Sequence, residues 1–371
     1  MKKLAVVFSG YNQRAVVAFL RTLEANGAEY AIVASSADDP IFVTKYSGKV
    51  LATRQRKELD IEDLTDNIKE VKSKTGLDKC VIAPSTEALN RFLLKNRKSL
   101  EDIDCEIPLV DKEIYERISD KYSFNKICLQ HNIVVPAEYG SPEAVKIPYV
   151  AKPKQYFAKD SSTHSPVLVL GDEDHRNFLE NYDLEDFYYQ EYVEGDSFYL
   201  LYYFYKDGSV AKLSQQNFMQ QPQGKSIIAA ESINFHKTEE SLKYEKLFCS
   251  LGFNGLVMVE VKHINRKYYM IEANPRFWGP SQLFVDAGVN LFEDFLFDNG
   301  LIRTPPSHKL LIKEIKYFWG SGLHETIKDG GKISYHSYSE EEFTKNISEW
   351  EKADVYNRKD TVRVYEQEMS A

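Results

Sequence analysis

Tyr268-Tyr269-Met270-Ile271-Glu272-Ala273-Asn274-Pro275-Arg276-Phe277-Trp278-Gly279 is the stretch of this 371-residue chain from which its fold is read. Side chains alternate faces along an extended strand. Glu272, Asn274 and Arg276 therefore share one face, with Ile271 and Ala273 on the other. A carboxylate, an amide oxygen and a guanidinium on one patch suit a hard cation and a phosphate. Pro275 removes a ladder donor, which loosens pairing where the polar groups need freedom. Working outward, residues 255 to 264 read as the preceding strand, and Asn265-Arg266-Lys267 as a turn. A three-residue loop pairs Ile264 with Tyr268 and sets Glu260 opposite Glu272, on the same face. A two-residue loop sets Glu260 opposite Ile271, on the wrong side. Two opposed carboxylates repel unless a cation lies between them. The plainer alternative is a surface hairpin with scattered charges.

Composition bounds the remainder. At 43% hydrophobic and 28% charged, the chain reads as an ordinary folded protein of two or three domains. A net charge of −9 argues against nonspecific nucleic-acid binding, which needs clustered Lys and Arg. Cys80, Cys105, Cys128 and Cys249 are widely spaced, which fits buried thiols in a reducing compartment better than disulfides or zinc. The N-terminal apolar run stops at Phe8, so it reads as a strand and not as a signal peptide. No apolar run approaches the ~20 residues of a membrane helix. The expectation is a cytoplasmic protein with no membrane or nucleic-acid partner.

Residues 3 to 112 alternate strand and helix patterns, at Leu4 to Phe8, Gln13 to Asn26, Tyr30 to Ala34 and Lys79 to Ala83. This implies a parallel sheet with helices on both faces. A dehydrogenase reading, prompted by Asp38 and Asp39, fails because the first turn has Gly10 alone where the dinucleotide fingerprint needs three glycines.

The Glu-x-Asn-Pro-Arg run, with an acidic residue on the strand before it, resembles the metal-binding signature of the ATP-grasp superfamily. The similarity is closest to the branch related to the carbamoyl-phosphate synthase large chain, and it covers residues 1 to about 300. The resemblance implies an α/β and α+β architecture. A Rossmann-like pre-ATP-grasp domain (1–112) is followed by a two-lobed ATP-grasp fold, with small lobe 113–185 and large lobe 186–305, and by a small C-terminal extension (306–371). It implies ATP and one or two Mg²⁺ ions, held by Glu260, Glu272 and Asn274. Arg276 and Lys152 act on the transferred phosphoryl group. Lys152, in Ile147-Pro148-Tyr149-Val150-Ala151-Lys152-Pro153, resembles the lysine that touches the α-phosphate. Lys121 resembles the basic residue opening a helix near the nucleotide, with a solvated helix lysine as the alternative. Gln190, Glu191 and Val193 resemble the segment that receives adenine. The ribose acid falls at Asp196 or is displaced to Ser197, which alternation puts on opposite sides of a strand.

The phosphate-covering loop departs from the family, because residues 155 to 164 hold no glycine. Ser161, Ser162 and Thr163 offer hydroxyls and Lys159 a charge, though a plain polar hairpin tip reads equally well. Lys225, in the loop around Gly224, is a γ-phosphate candidate. Ligands of parallel sheets sit beyond the carboxyl ends of the strands. Ser9 and Glu87 lie at such ends and are candidates for the second substrate, Glu87 facing an amine; helix capping by Ser85 or Thr86 is the alternative. Trp278 reads either as a wall of that pocket or as core.

The implied reaction activates a carboxylate as an acyl phosphate and couples it to an amine, so the expected partners are small-molecule acids and amines. The resemblance also implies a homodimer. Rival readings are a carboxylate or carbamate kinase, an enzyme with a thiol or hydroxyl acceptor, and a non-catalytic nucleotide-binding module.

Overall fold

The computed structural model describes residues 2–141, 145–158, 163–309 and 314–370. The strands are organised in three sheets. β1 (Leu4–Phe8), β2 (Tyr30–Ala34), β3 (Val50–Thr53), β4 (Cys80–Ile82) and β5 (Cys105–Glu106) form a parallel sheet in the order β3-β2-β1-β4-β5. β1 and β2 are buried along their whole length, as strands covered on both faces must be. The strand order reverses between β1 and β4.

β6 (Glu138–Tyr139), β7 (Tyr149–Pro153), β8 (Val167–Val169) and β9 (Phe187–Glu191) form a small antiparallel sheet in the order β6-β9-β7-β8. Because β9 pairs with β7, this sheet runs past residue 185. β10 (Asp196–Phe204), β11 (Val210–Gln220), β12 (Ile227–Ile233), β13 (Gly255–Ile264), β14 (Lys267–Asn274), β15 (Lys316–Phe318) and β16 (Ser334–Tyr335) form the large sheet. Its order is β14-β13-β10-β11-β12-β15, and β16 pairs with β11. The C-terminal extension is therefore woven into the large sheet through two strands.

One apolar core joins β1 and β2 to the large sheet through the helix Gln13–Ala25, with Phe19 packed on Phe277 and Phe292. Two arginines of the same region reinforce that junction. Arg14 stacks 3.7 Å above the Trp319 ring and donates to the Ile227 carbonyl at 3.2 Å, and Arg21 pairs with Asp360 at 2.8 Å. The small sheet has a core of its own around Tyr149, Phe178, Phe187 and Tyr189. Among the described residues no helix is long and apolar enough to cross a membrane.

The β13–β14 hairpin corrects one expectation. Its loop has two residues, since Ile264 pairs with Lys267, and Asn265 and Arg266 both take positive φ (51° and 63°). Two left-handed residues make the tight turn that suits the right-handed twist of a hairpin. Continued without interruption, this register would oppose Glu260 to Ile271. A bulge intervenes after Val261–Met270, and Glu260 pairs with Glu272. The shorter turn and the extra residue cancel, and both carboxylates reach one face.

A left-handed backbone costs a branched L-residue roughly 1–2 kcal/mol. Arg266→Gly should therefore stabilise the protein by about 1 kcal/mol, seen as a higher urea midpoint with unchanged slope.

Candidate active site

Between the large and small sheets lies a cleft of about 620 Å³. One wall is the polar end of the large sheet, where Glu260, Glu272 and Asn274 stand on a common face. Asn274 Nδ2 donates to Glu272 Oε1 at 2.7 Å, and Lys121 Nζ lies 2.6 Å from Glu272 Oε2. Lys121 comes from the first turn of the helix Lys121–Gln130, aimed across the cleft rather than into solvent. Arg276 donates to the Phe277 carbonyl at 2.8 Å and lies 3.5 Å from Asn274 Oδ1.

The bulge shapes a second contact. Lys152, at the end of β7, donates to the Ile271 carbonyl at 2.9 Å. A bulged residue leaves the regular ladder, which leaves its backbone groups for other partners. Lys152 thus bridges the small sheet to the metal-site strand. Burial, and then the nearby Lys121 charge, bring its pKa down to about 8.

The two carboxylates differ in environment. Burial opposes ionisation of Glu272, but the charge and hydrogen bond of Lys121, with Asn274 and Arg276, outweigh it and hold its pKa below the usual range. Glu260 is 7% exposed and has no hydrogen-bond or ion-pair partner among the described residues. Burial, then the Glu272 charge, pushes its pKa up. No three His, Cys, Asp or Glu side chains cluster as a metal site among the described residues. The oxygen set is two carboxylates and the Asn274 amide, which fits a hard divalent cation. A buried carboxylate without a partner is what such an ion stabilises.

Other expected residues fall as follows. Glu191, Val193 and Lys225 line the cleft. Gln190 lies beneath it, opposite cleft-lining Val150; its Nε2 donates to the Pro136 carbonyl at 3.3 Å, and its Oε1 is buried without a partner. Trp278 is both wall and core, since it lines the cleft at 2% exposure and packs on Phe284. Ser161, Ser162 and Lys159 lie outside the described residues.

Three expectations need correction. Asp196 does not face the cleft: it opposes His263, 3.4 Å away, on the face opposite Tyr199 and Glu260. Ser197 does turn inward, but it is fully buried and bonded to Asn217, so neither position offers a ribose acid. Glu87 does not meet a substrate amine, because Arg91, one helical turn along, holds it at 3.0 Å. Ser9 points away from the cleft toward Asp39 Oδ2 at 2.7 Å and borders a separate cavity. Thr86 caps the helix Glu87–Lys95 through the Leu89 amide.

Four residues went unremarked in the sequence reading. Tyr199 opposes Glu260 from β10, and Lys262 follows Glu260 by one strand repeat. Strand alternation could have found Lys262. His336 enters from the C-terminal extension, 3.3 Å from Lys262 Nζ and 3.0 Å from Gln220 Oε1. Burial, then Lys262, brings its pKa down to about 3 and keeps it neutral. No local pattern marks His336, which the β11–β16 pairing delivers. Arg14 lies so close to Gly279 that an added Cβ would be 3.0 Å from its guanidinium.

No family model matches the sequence, and no curated protein does. Solved structures do match. N5-carboxyaminoimidazole ribonucleotide synthetase from Thermus thermophilus aligns with TM-score 0.64 at 13% identity, covering 94% of this chain and 98% of that one. The biotin carboxylase–β,γ-ATP complex from Campylobacter jejuni aligns with TM-score 0.63 at 14% identity, over 85% and 75%. A Hydrogenobacter thermophilus 2-oxoglutarate carboxylase biotin carboxylase domain, solved as a dimer with MgADP, ADP and bicarbonate, aligns with TM-score 0.62 at 11% identity, over 85% and 74%. The chain has the ATP-grasp fold that the Glu-x-Asn-Pro-Arg run suggested.

The Glu260 environment has a measurable consequence. An acid whose folded pKa is raised destabilises the fold above that pKa and has no effect below its unfolded value. Without Mg²⁺ or nucleotide, Glu260→Gln should raise Tm at pH 8 by roughly 2–4 °C. The gain should vanish near pH 4, as read by thermal unfolding at both pH values.

Proposed function

We propose that this chain is an ATP-dependent ligase that activates a substrate carboxylate as an acyl phosphate and joins it to an amine. The carrying observation is the opposed Glu260–Glu272 pair, with Asn274, Lys121, Lys152 and Arg276 around it, in one cleft. The neighbours with β,γ-ATP and with MgADP support a nucleotide in this fold. Glu191 and Val193 bound the adenine end, and the unpartnered Gln190 Oε1 supplies an acceptor beneath it.

Glu260, Glu272 and Asn274 would hold Mg²⁺, which when bound neutralises phosphate charge. The protein's own groups set the rest. An oxygen of the substrate carboxylate attacks the γ-phosphorus, and the bond to the β–γ bridging oxygen breaks, releasing ADP. Phosphoryl transfer of this kind needs positioning and charge stabilisation rather than a protein nucleophile. Lys152, with a pKa of about 8, is protonated at neutral pH and weakly solvated, which suits a donor to phosphate oxygen. Arg276 adds a guanidinium at the same end. The amine then attacks the acyl carbon, phosphate departs, and the amine's proton goes to solvent. Water reaching the acyl phosphate would waste it, so the closed side of the cleft matters as much as its charges.

Incubation with Mg²⁺, ATP and pooled acids and amines should release ADP and give a product heavier by the acid–amine condensation. Glu272→Gln should lower turnover by roughly 100-fold or more, while Glu245→Gln, on a distant helix, should not. A parent protein that binds ATP and turns it over with no acid and amine pair is a binding module, and the ligase reading then fails.

A further inference from the structure

The parallel sheet carries a second cavity of about 680 Å³ that the nucleotide cleft does not absorb. It opens between Phe8-Ser9 at the end of β1 and Ser85-Thr86 after β4. This is where the strand order reverses, the crevice in which open parallel sheets bind ligands. It also adjoins the phosphoryl end of the cleft: Asn12 Nδ2 bonds the Ser85 carbonyl at 2.9 Å and the Phe277 carbonyl, next to Arg276, at 3.0 Å. The loop after Lys152 reaches it too, bringing in Tyr156 and Phe157.

Its chemistry is divided. The inner wall is carbon, from Phe8, Leu59, Leu89 and Phe92. At the mouth Tyr11 and Phe157 remain 55% and 54% exposed, aromatic area that an apolar ligand would cover. The rim is basic although the chain as a whole is acidic. Arg54 is committed to Asp63 and to loop carbonyls, and Arg91 to Glu87 and Asp120 beneath the Tyr156 ring. Lys57 and Lys95 are different, with no ion-pair partner among the described residues. Cations left free beside a carbon-lined cavity select an anion with an apolar body.

We infer that this cavity binds an organic substrate of the ligase, an acid with an aromatic-sized apolar body and a second negative charge read by Lys57 and Lys95. The body would fill the inner wall, and the reacting carboxylate would face Arg276. The chemistry rests on the ligase reading, but the binding does not.

Calorimetric titration of the full chain with three probes tests it. The probes are 3-(4-carboxyphenyl)propanoate, 3-phenylpropanoate with one charge fewer, and adipate without the ring. The first should bind at least tenfold tighter than the other two. The double variant Lys57→Ala/Lys95→Ala should reduce it to the level of 3-phenylpropanoate. Ala88→Trp, on an exposed helix position facing the cavity, should abolish binding of both ring compounds while MgATP affinity stays unchanged in both variants. Equal binding of adipate, binding undisturbed by Ala88→Trp, or no binding of any probe overturns the inference. ATP turnover with other acids would then leave the ligase reading standing. Probe binding without any ATP turnover would instead retain the cavity and remove the ligase.

Discussion

Two negative charges that should avoid each other are held side by side, and the rest of the cleft is arranged around that conflict. Glu260 and Glu272 occupy opposed positions on adjacent strands, largely away from water. Lys121 reaches across from another layer and settles one of them. The other has no such partner and is left with a strong preference for its neutral form. Such asymmetry gives a site affinity for a divalent ion without a ready-made cage. Each carboxylate is most stable when something positive is shared between them.

The bulge makes that arrangement compatible with a tight turn. The turn prefers two left-handed residues, and the site needs a register that two residues do not supply. One extra residue in β14 resolves the mismatch, and its carbonyl becomes the acceptor for Lys152. A local irregularity in a ladder thereby couples the two lobes chemically. Irregularities of this kind recur beside functional sites because they free backbone groups and re-aim side chains.

Much of this was legible in the sequence because it depends on period two. Alternation put Glu272, Asn274 and Arg276 on one face, and the apolar runs of β1 and β2 announced a parallel sheet. The Glu260–Glu272 pairing was anticipated, but through a three-residue loop that does not exist: two compensating features gave the expected outcome by another route. Asp196 and Glu87 failed for a different reason. A residue can sit at the right place along a strand or helix and still be claimed by a neighbour, as His263 and Arg91 show. His336 was beyond local reading altogether, since a pairing between strands far apart in the chain brings it to the cleft.

The clamp made by Arg14 and Arg21 bears on how the protein moves. It fastens the parallel sheet to the large sheet and the extension through stacking, ion pairing and one continuous core. Those layers behave as one rigid body. The small sheet keeps a separate core and meets that body through isolated contacts such as Lys152 with Ile271 and Asn125 with Tyr188. Opening and closure therefore fall to a swing of the small sheet, with Lys152 as the latch that engages when it shuts. A ligand spanning both layers would be gripped from one moving side, against a wall that does not yield.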